Sequence, residues 1–174
     1  MSKGATLADR LARRVARFEN RRADWTVFGF ETAKDPKFAR IQRRYLGASG
    51  SVDHNDLRGG VPATAFTMSL QTVPVGNMIP MHCHETEEVF FILDGQCLVR
   101  CFDGDEVTDL TLGKWDMVQL PIGLQHELYN TGDTDCHVQT LLSTAKPRRP
   151  QYNDPELLEL QAKAGTPETV PAAE

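Results

Sequence analysis

Two histidines and a carboxylate stand close together in the run PMHCHETEE at residues 80–88. His82 and His84 are separated by one residue, and Glu88 follows four positions after the second histidine. Alternate side chains of an extended strand point to the same face, so the two imidazoles share a face while Cys83 points away from it. Glu88 has the same parity and joins that face if the backbone stays extended or turns once. Two imidazoles and a carboxylate that converge are suitable ligands for a divalent transition metal.

A further candidate ligand lies later in the chain, in the run PIGLQHELYN at residues 121–130. Pro121 and Gly123 predict a turn that delivers His126 to the start of a strand. Because a small closed barrel brings distant strands together, we expect His126 to face the other ligands across its interior. Such a set would leave room on the metal for a substrate, water or dioxygen.

The elements that would position these ligands are short strands, which begin near residue 61. The segment TAFTMSLQTV alternates in polarity, and EVFFIL is joined to QCLVRCF by Asp94-Gly95, a strong signal for a two-residue hairpin. A turn at Asp103-Gly104 leads to EVTDLTL, and the strands DMVQL, HELYN and HVQTLLS follow. About eight strands in roughly a hundred residues, without intervening helices, predict an all-β antiparallel sandwich or barrel.

Helices are expected on both sides of this strand-rich region. Residues Leu7–Arg21 carry apolar side chains at helical spacing, with Thr6 as a candidate N-cap, and the apolar stripe is interpreted as a packing face. The run DWTVFGFE predicts a strand, and DPKFARIQRRYL predicts a short helix begun by Pro36. Residues 47–60 are interpreted as a loop that contains His54. A short C-terminal helix is predicted in DPELLELQAKAG, before a Pro/Ala/Glu-rich tail that is predicted to be disordered.

Length and composition favour one domain with a sizeable core, since the chain has 174 residues and 40% hydrophobic content. No run of apolar residues is long enough to predict a membrane span, and the N-terminus lacks the apolar stretch of a secretory signal. The four cysteines form no CxxC pair, and Cys97 and Cys101 on one strand would lie about 13 Å apart, too far for a disulfide. A reduced, cytoplasmic protein is the simplest interpretation.

The net charge of −5 conceals an asymmetry along the chain. Residues 1–44 contain 12 Lys/Arg against 5 Asp/Glu, whereas the remainder contains 7 against 19. A basic arm raises the question of nucleic-acid binding, but one convincing helix before residue 24 is too little for a helix-turn-helix. We therefore predict no nucleic-acid partner and expect the basic arm to pack on the acidic body of its own or a partner subunit.

These residues and their spacing resemble the cupin superfamily, whose first motif is G-x5-H-x-H-x3,4-E-x6-G. Gly76, His82, His84, Glu88 and Gly95 match every fixed position of that motif. The resemblance extends over roughly residues 62–145. It therefore covers the strand-rich region but not the basic arm.

The second cupin motif, G-x5-P-x-G-x2-H-x3-N, is matched at all positions but the first. Pro121, Gly123, His126 and Asn130 stand at the required spacings, and Trp115 replaces the leading glycine. This departure concerns the shape of the turn before DMVQL and not the histidine that follows.

The resemblance implies a double-stranded β-helix, or jelly-roll, cupin barrel at residues 61–145. Residues 1–60 would form an N-terminal helix and extension packed on the barrel, and residues 146–174 a C-terminal helix and tail. By the family's example, one divalent metal ion would be bound, with its ligands at His82, His84, Glu88 and His126. Iron, manganese, nickel, zinc and copper all accept such ligands, so the metal is not identified. Cupin barrels commonly pair, and the family thus implies a homodimer.

The surroundings of the metal are predicted from strand parity. Phe90 and Ile92 share the parity of the ligands, which predicts an apolar interior beyond the metal. Phe66 and Met68 line the same cavity or pack outside it, because the alternation does not decide which face points inward. Gln119 is the polar residue of DMVQL that would meet a ligand or support a histidine.

The predicted function is that of a metal-dependent, Fe(II)-type dioxygenase that acts on a small organic or aromatic substrate bearing a carboxylate or phenolate. Chelation of the substrate beside dioxygen needs little acid–base machinery from the protein, and no second carboxylate stands out as a general acid. A non-redox lyase or isomerase that uses the metal as a Lewis acid remains an alternative. So does a binding protein without turnover, since the spacing H-x-H-x-x-E-E-V-F is similar to that of the plant auxin-binding cupins. Fold and motif alone do not establish catalysis.

Overall fold

The computed structural model of the chain describes residues 6–164. Three α-helices and nine strands make up its regular structure, with short 3₁₀ turns at Phe18–Asn20 and Pro36–Phe38. The helices are α1 (Leu7–Ala12), α2 (Gly29–Lys34) and α3 (Pro155–Ala164). The strands are β1 (Ile41–Leu46), β2 (Thr67–Val73), β3 (Met78–His82), β4 (Glu88–Asp94), β5 (Gln96–Asp103), β6 (Glu106–Gly113), β7 (Met117–Leu120), β8 (Gln125–Asn130) and β9 (Cys136–Leu142).

The strands form two antiparallel sheets that face each other as a jelly-roll barrel, as the sequence predicts. One sheet has the order β1-β2-β9-β4-β7 and the other has the order β3-β8-β5-β6. The hairpin predicted at Asp94-Gly95 is wrong, because β4 and β5 lie in different sheets and do not pair with each other. The turn at these residues instead leads the chain from one sheet to the other. Gly95 has φ of +84°, and a Cβ at this position would lie 2.8 Å from the carbonyl oxygen of Asp135. Only glycine fits this turn without strain.

The core of the barrel lies between the sheets and is filled by alternate side chains of both. Among its fully buried members, β4, β5 and β9 contribute two each, and β2, β3, β7 and β8 contribute one each. The buried members are Val73, Ile79, Phe90, Ile92, Cys97, Val99, Leu120, Leu128, Cys136 and Val138. A second, smaller cluster joins the flanking segments, where Phe28 and Phe30 pack with Tyr152 and Leu157. The N-terminal and C-terminal segments therefore meet each other beside the barrel.

The N-terminal segment differs from its prediction in three places. The run DWTVFGFE is not a strand, because α2 begins within it at Gly29. The helix predicted from Pro36 ends after one 3₁₀ turn, and β1 follows and pairs with β2. The inward side chains of β1 are the polar Gln42 and Arg44, so its alternation carries no hydrophobic signal. This strand precedes residue 60, so part of the segment predicted as an extension belongs to the sheet.

The first helix is shorter than the span Leu7–Arg21 that the apolar pattern predicts. Thr6 caps α1 as predicted, through a capping box in which its side chain and that of Asp9 accept from each other's backbone N–H groups. However, α1 ends at Ala12, and the apolar residues Leu7 and Leu11 are exposed. The stripe therefore does not pack on its own barrel.

The C-terminal helix is present as predicted and packs against α2 through Leu157. The predicted disordered tail lies outside the described residues. Within residues 6–164, the helices are all too short and too polar to cross a membrane.

Candidate metal centre

Four side chains from three strands and one loop meet at one end of the barrel. His82 ends β3, His84 follows it, Glu88 begins β4, and His126 lies on β8, where it pairs with His82 in the register of the sheet. Glu88 Oε2 lies 3.0 Å from His126 Nε2 and 3.6 Å from the Nε2 atoms of both His82 and His84. The structure thus brings together the four residues that the sequence singles out as ligands.

Backbone carbonyls fix the orientation of two of the imidazoles. His82 Nδ1 lies 2.8 Å from the carbonyl oxygen of Pro80, and His126 Nδ1 lies 2.9 Å from that of Leu124. Because a carbonyl oxygen only accepts, each Nδ1 carries the hydrogen and donates it. The lone pair of each Nε2 is therefore directed towards Glu88, which is the tautomer that a metal ligand needs.

The spacing of the donor atoms fits a common ion. Two ligands that each lie about 2.1 Å from a metal are separated by about 3.0 Å at a right angle and about 3.4 Å at a tetrahedral angle. The observed separations from Glu88 Oε2 range from 3.0 to 3.6 Å. The donor atoms of His82, His84 and Glu88 all lie within 4.8 Å of one another. With His126, this set of three nitrogens and one oxygen suits one divalent metal ion.

Burial and mutual charge set the protonation states of the cluster. Burial lowers the pKa of His84 to about 4, with smaller contributions from His82 and His126, and Glu88 opposes this change. Burial alone would raise the pKa of Glu88, but the surrounding imidazoles of His84, His126 and His82, which take up a proton before the buried carboxylate does, lower that pKa well below its usual value. At neutral pH His84 is neutral and Glu88 is ionised, so both are in the state that coordinates a metal.

A small cavity of about 20 Å³ adjoins three of the four ligands, His82, His84 and Glu88. Much of its wall is polar and comes from the segment around β1, from β2 and from β9. These polar residues are Arg40, Gln42, Ser49, Ser69, Gln71 and Thr140. Apolar side chains, including Phe28, Ile79 and Leu142, complete the wall. The surroundings of the metal site are therefore polar on one side and apolar on the other.

The structure does not bring the five predicted pocket residues to this cavity wall. Phe66 is 43% exposed, Gln119 is also exposed, and Met68 accepts a hydrogen bond from Gln139, whose side chain is outside the barrel. Ile92 is fully buried in the core, and Phe90 packs edge-on against His126 with 5.6 Å between ring centroids.

For Met68 and the neighbouring Phe66, the reason for this difference is the parity of β2. Its buried face carries Thr67, Ser69 and Gln71, whereas the more apolar residues point outward. Hydrophobic alternation identifies the core face of a strand only where that face is apolar. Next to a polar ligand site the buried face is itself polar, so the second of the two alternatives left open for Phe66 and Met68, a position outside the cavity, is the one observed.

A buried ion pair that includes the cavity-lining residue Arg40 was not predicted from the sequence. Arg40 forms a double contact with Glu31, in which Nη2 donates to Oε1 at 3.2 Å and Nη1 pairs with Oε2. Tyr152 donates its hydroxyl to the same carboxylate. Burial and the charge of Glu31 raise the pKa of Tyr152 well above its usual value. These residues are far apart in the sequence and match no motif, so no sequence signal pointed to them.

Together, the two facing sheets and the buried cluster of three histidines and one glutamate define a metal-binding β-barrel. Residues 69–143 match the family model described as a cupin domain. This part of the chain is therefore a cupin domain, as its two motifs predict.

Solved structures of similar fold include an oxalate oxidase and the oxalate decarboxylase of Bacillus subtilis. The first is 18% identical with a TM-score of 0.52, and the match covers 63% of this chain and 53% of that one. The second is 18% identical with a TM-score of 0.50, and the match covers 61% of this chain and 26% of that one. This chain thus spans about half of the oxidase and about a quarter of the decarboxylase. No curated protein sequence matches this chain significantly.

Proposed function

We propose that this cupin is a metal-dependent oxidoreductase of the dioxygenase type, which acts on a small, oxygen-rich organic substrate. The observation that carries the proposal is the placement of four ligands beside a small, partly polar cavity. His82, His84, Glu88 and His126 would hold the metal. When bound, an Fe(II) or Mn(II) ion would supply open coordination positions to a substrate oxygen and to dioxygen.

The size of the cavity limits the substrate. A volume of about 20 Å³ is close to the space that one or two water molecules need. Binding therefore requires the cavity to widen, and a carboxylate with a short carbon chain requires less widening than an aromatic substrate. The oxalate oxidase of similar fold is described in complex with the substrate analogue glycolate, an acid of this size.

The residues of this chain perform three tasks in the proposed reaction. The carbonyl groups of Pro80 and Leu124 orient two imidazoles, and the ionised Glu88 offsets part of the positive charge of a divalent ion. A site with residual positive charge attracts an anionic substrate. Apolar side chains such as Phe28 and Ile79 line the cavity and would restrict the access of water to the centre.

The chemistry of the wall favours redox turnover over a lyase or isomerase. Among the described residues that line the cavity, Glu88 is the only carboxylate, and it belongs to the ligand set. A lyase or isomerase needs a positioned general acid or base besides the ligands. Substrate oxidation by dioxygen at the metal would not require such an additional acid or base from the protein.

Oxygen consumption tests the proposal. Protein loaded anaerobically with Fe(II) is mixed with glycolate, oxalate, acetylacetone or catechol in air-saturated buffer, and dioxygen is followed with an electrode. We expect substrate-dependent uptake with a short-chain acid, and no uptake by the zinc-loaded protein or by His126→Ala. Binding of these acids without uptake under any condition would refute the enzyme proposal and favour a carboxylate-binding protein.

A further inference from the structure

One cavity-lining side chain has an unused hydrogen-bonding atom. Gln42 lies on β1 and is only 2% exposed, and its Oε1 has no partner among the described residues. Its Nε2 lies 3.4 Å from the hydroxyl oxygens of both Ser49 and Ser69. The amide nitrogen is thus engaged on one side, while the amide oxygen is an acceptor without a donor.

The neighbouring side chains are paired with one another and do not satisfy this oxygen. Arg40 Nε donates to Gln71 Oε1 at 2.8 Å, and Gln71 Nε2 donates to Thr140 Oγ1 at 3.1 Å. Arg40 directs its two remaining nitrogens to Glu31. Among the described residues of the cavity wall, Gln42 alone has a buried side-chain oxygen with no partner.

A buried acceptor without a donor is costly, and native proteins rarely retain one without a reason. A ligand that brings a donor to this position would remove the cost. An amide oxygen cannot be satisfied by a carboxylate oxygen, since both only accept. In the absence of a ligand, a water molecule would supply the donor; a bound acid would replace that water with a hydroxyl or an ammonium group of its own. A divalent ion with one Glu88 carboxylate has residual positive charge, which disfavours a second cation.

We propose that Gln42 is a specificity-determining residue that accepts a hydrogen bond from a hydroxyl group of the ligand. The site would then select small hydroxy acids, with the carboxylate at the metal and the hydroxyl at Gln42. This inference deepens the proposed function and uses the same metal site. Gln42 lies outside residues 69–143, so the N-terminal segment supplies selectivity to the cupin domain.

The test compares glycolate with fluoroacetate, in which fluorine replaces the hydroxyl at nearly the same size but cannot donate. Binding to zinc-loaded protein is measured by calorimetry, so that no turnover takes place. Chelation of the metal by the glycolate hydroxyl contributes to the preference in wild type and variant alike. The informative quantity is therefore the change in the glycolate-to-fluoroacetate affinity ratio on substitution.

We expect Gln42→Leu to lower this ratio about tenfold, because the variant has no acceptor for the hydroxyl. Gln139→Leu is the matched control, since Gln139 pairs with Met68 and does not line the cavity. It should leave the ratio unchanged. If Gln42→Leu does not fold, Gln42→Met replaces it, because methionine also lacks the amide oxygen that would accept from the hydroxyl.

An unchanged ratio in folded Gln42 variants would overturn the inference, as would a wild-type preference for fluoroacetate. The outcome is independent of oxygen chemistry. A hydroxyl preference that depends on Gln42, without dioxygen uptake by iron-loaded protein, would support the inference and refute the proposed enzyme. Dioxygen uptake by the iron-loaded protein, together with an unchanged glycolate-to-fluoroacetate affinity ratio in the Gln42 variants, would support the proposed enzyme and refute the role of Gln42.

Discussion

Arg40 Nε donates to Gln71 Oε1 at 2.8 Å, across the pairing of β1 with β2. Gln71 lies within the matched cupin domain, whereas Arg40 belongs to the segment that precedes it. The guanidinium also binds Glu31 and stacks on the ring of Phe28, with 3.9 Å from its central carbon to the ring centroid. One buried side chain thus connects the wall of the metal cavity to α2 and to the segment before it.

This connection predicts a large effect of Arg40→Met on stability. The substitution leaves Glu31, which is fully buried, without its cation. Removing one partner of a buried pair costs about 3–5 kcal/mol, because the remaining charge stays desolvated. Urea unfolding of the metal-free protein measures the change. The double variant Glu31→Leu with Arg40→Met should lose less than the sum of the single variants, and strict additivity would contradict the pairing.

The fold of the barrel could be predicted from sequence because turn residues and the spacing of the motifs mark many of its strands locally. The turn at Asp103-Gly104 joins the paired strands β5 and β6, and the predicted ligands lie on or beside β3, β4 and β8. Asp94-Gly95 marks a turn correctly, but that turn joins two sheets and not two paired strands. β1 could not be recognised, since its inward residues Gln42 and Arg44 are polar, and their hydrogen bonds run to Ser69 on β2 and to the loop that follows β1. The polar residues of the cavity wall were not predicted for the same reason. Burial of polar groups depends on tertiary hydrogen bonds, which local patterns do not contain.

His84→Ala is expected to abolish tight metal binding. Loss of an outer-shell partner alone lowers metal affinity by about 10–100-fold, so loss of a ligand should exceed that. Metal content after dialysis, measured by mass spectrometry, checks this result. His137→Ala is the control, because His137 pairs with Thr72 on the outer side of β9 and is not part of the cluster. Stoichiometric metal in His84→Ala would show that the ligand assignment is wrong.

The metal-free protein should lose stability as the pH falls from about 6.5 to about 4. In this window an unfolded chain protonates His84, whereas the folded protein, in which its pKa is about 4, does not. The unfolded state therefore binds more protons, and the free energy of unfolding decreases with falling pH. The loss is about 3 kcal/mol, since each tenfold difference in proton affinity is worth about 1.4 kcal/mol.

Glu88 adds to this effect at lower pH. Its pKa is lowered in the folded state, so its stabilising contribution is present above its ordinary value and is lost as the pH falls below it. Thermal unfolding across the pH range measures both contributions. His84→Asn should flatten the change between pH 6.5 and 4, because the substituted side chain does not titrate. A flat profile in the wild type would contradict the assignment of His84 as a neutral buried imidazole.

The exposed apolar stripe of α1 predicts a homodimer. Leu7 and Leu11 are 62% and 52% exposed, and with Val61 and Pro62 they border an apolar groove of about 510 Å³. One side of the groove belongs to the basic segment, residues 1–44, whereas the rest of the chain carries 19 Asp/Glu against 7 Lys/Arg. A second copy offers the complementary acidic charge, and its docking would cover the exposed leucines.

Analytical ultracentrifugation at micromolar concentration should therefore show a dimer, and Leu11→Asp should shift it to monomer. Leu158→Asp is the matched control, because Leu158 is 45% exposed on α3 and does not border the groove. Raising the salt concentration should weaken the dimer, since screening reduces the attraction between basic and acidic surfaces. A wild-type monomer, or a dimer equally sensitive to both substitutions, would show that α1 does not form the interface.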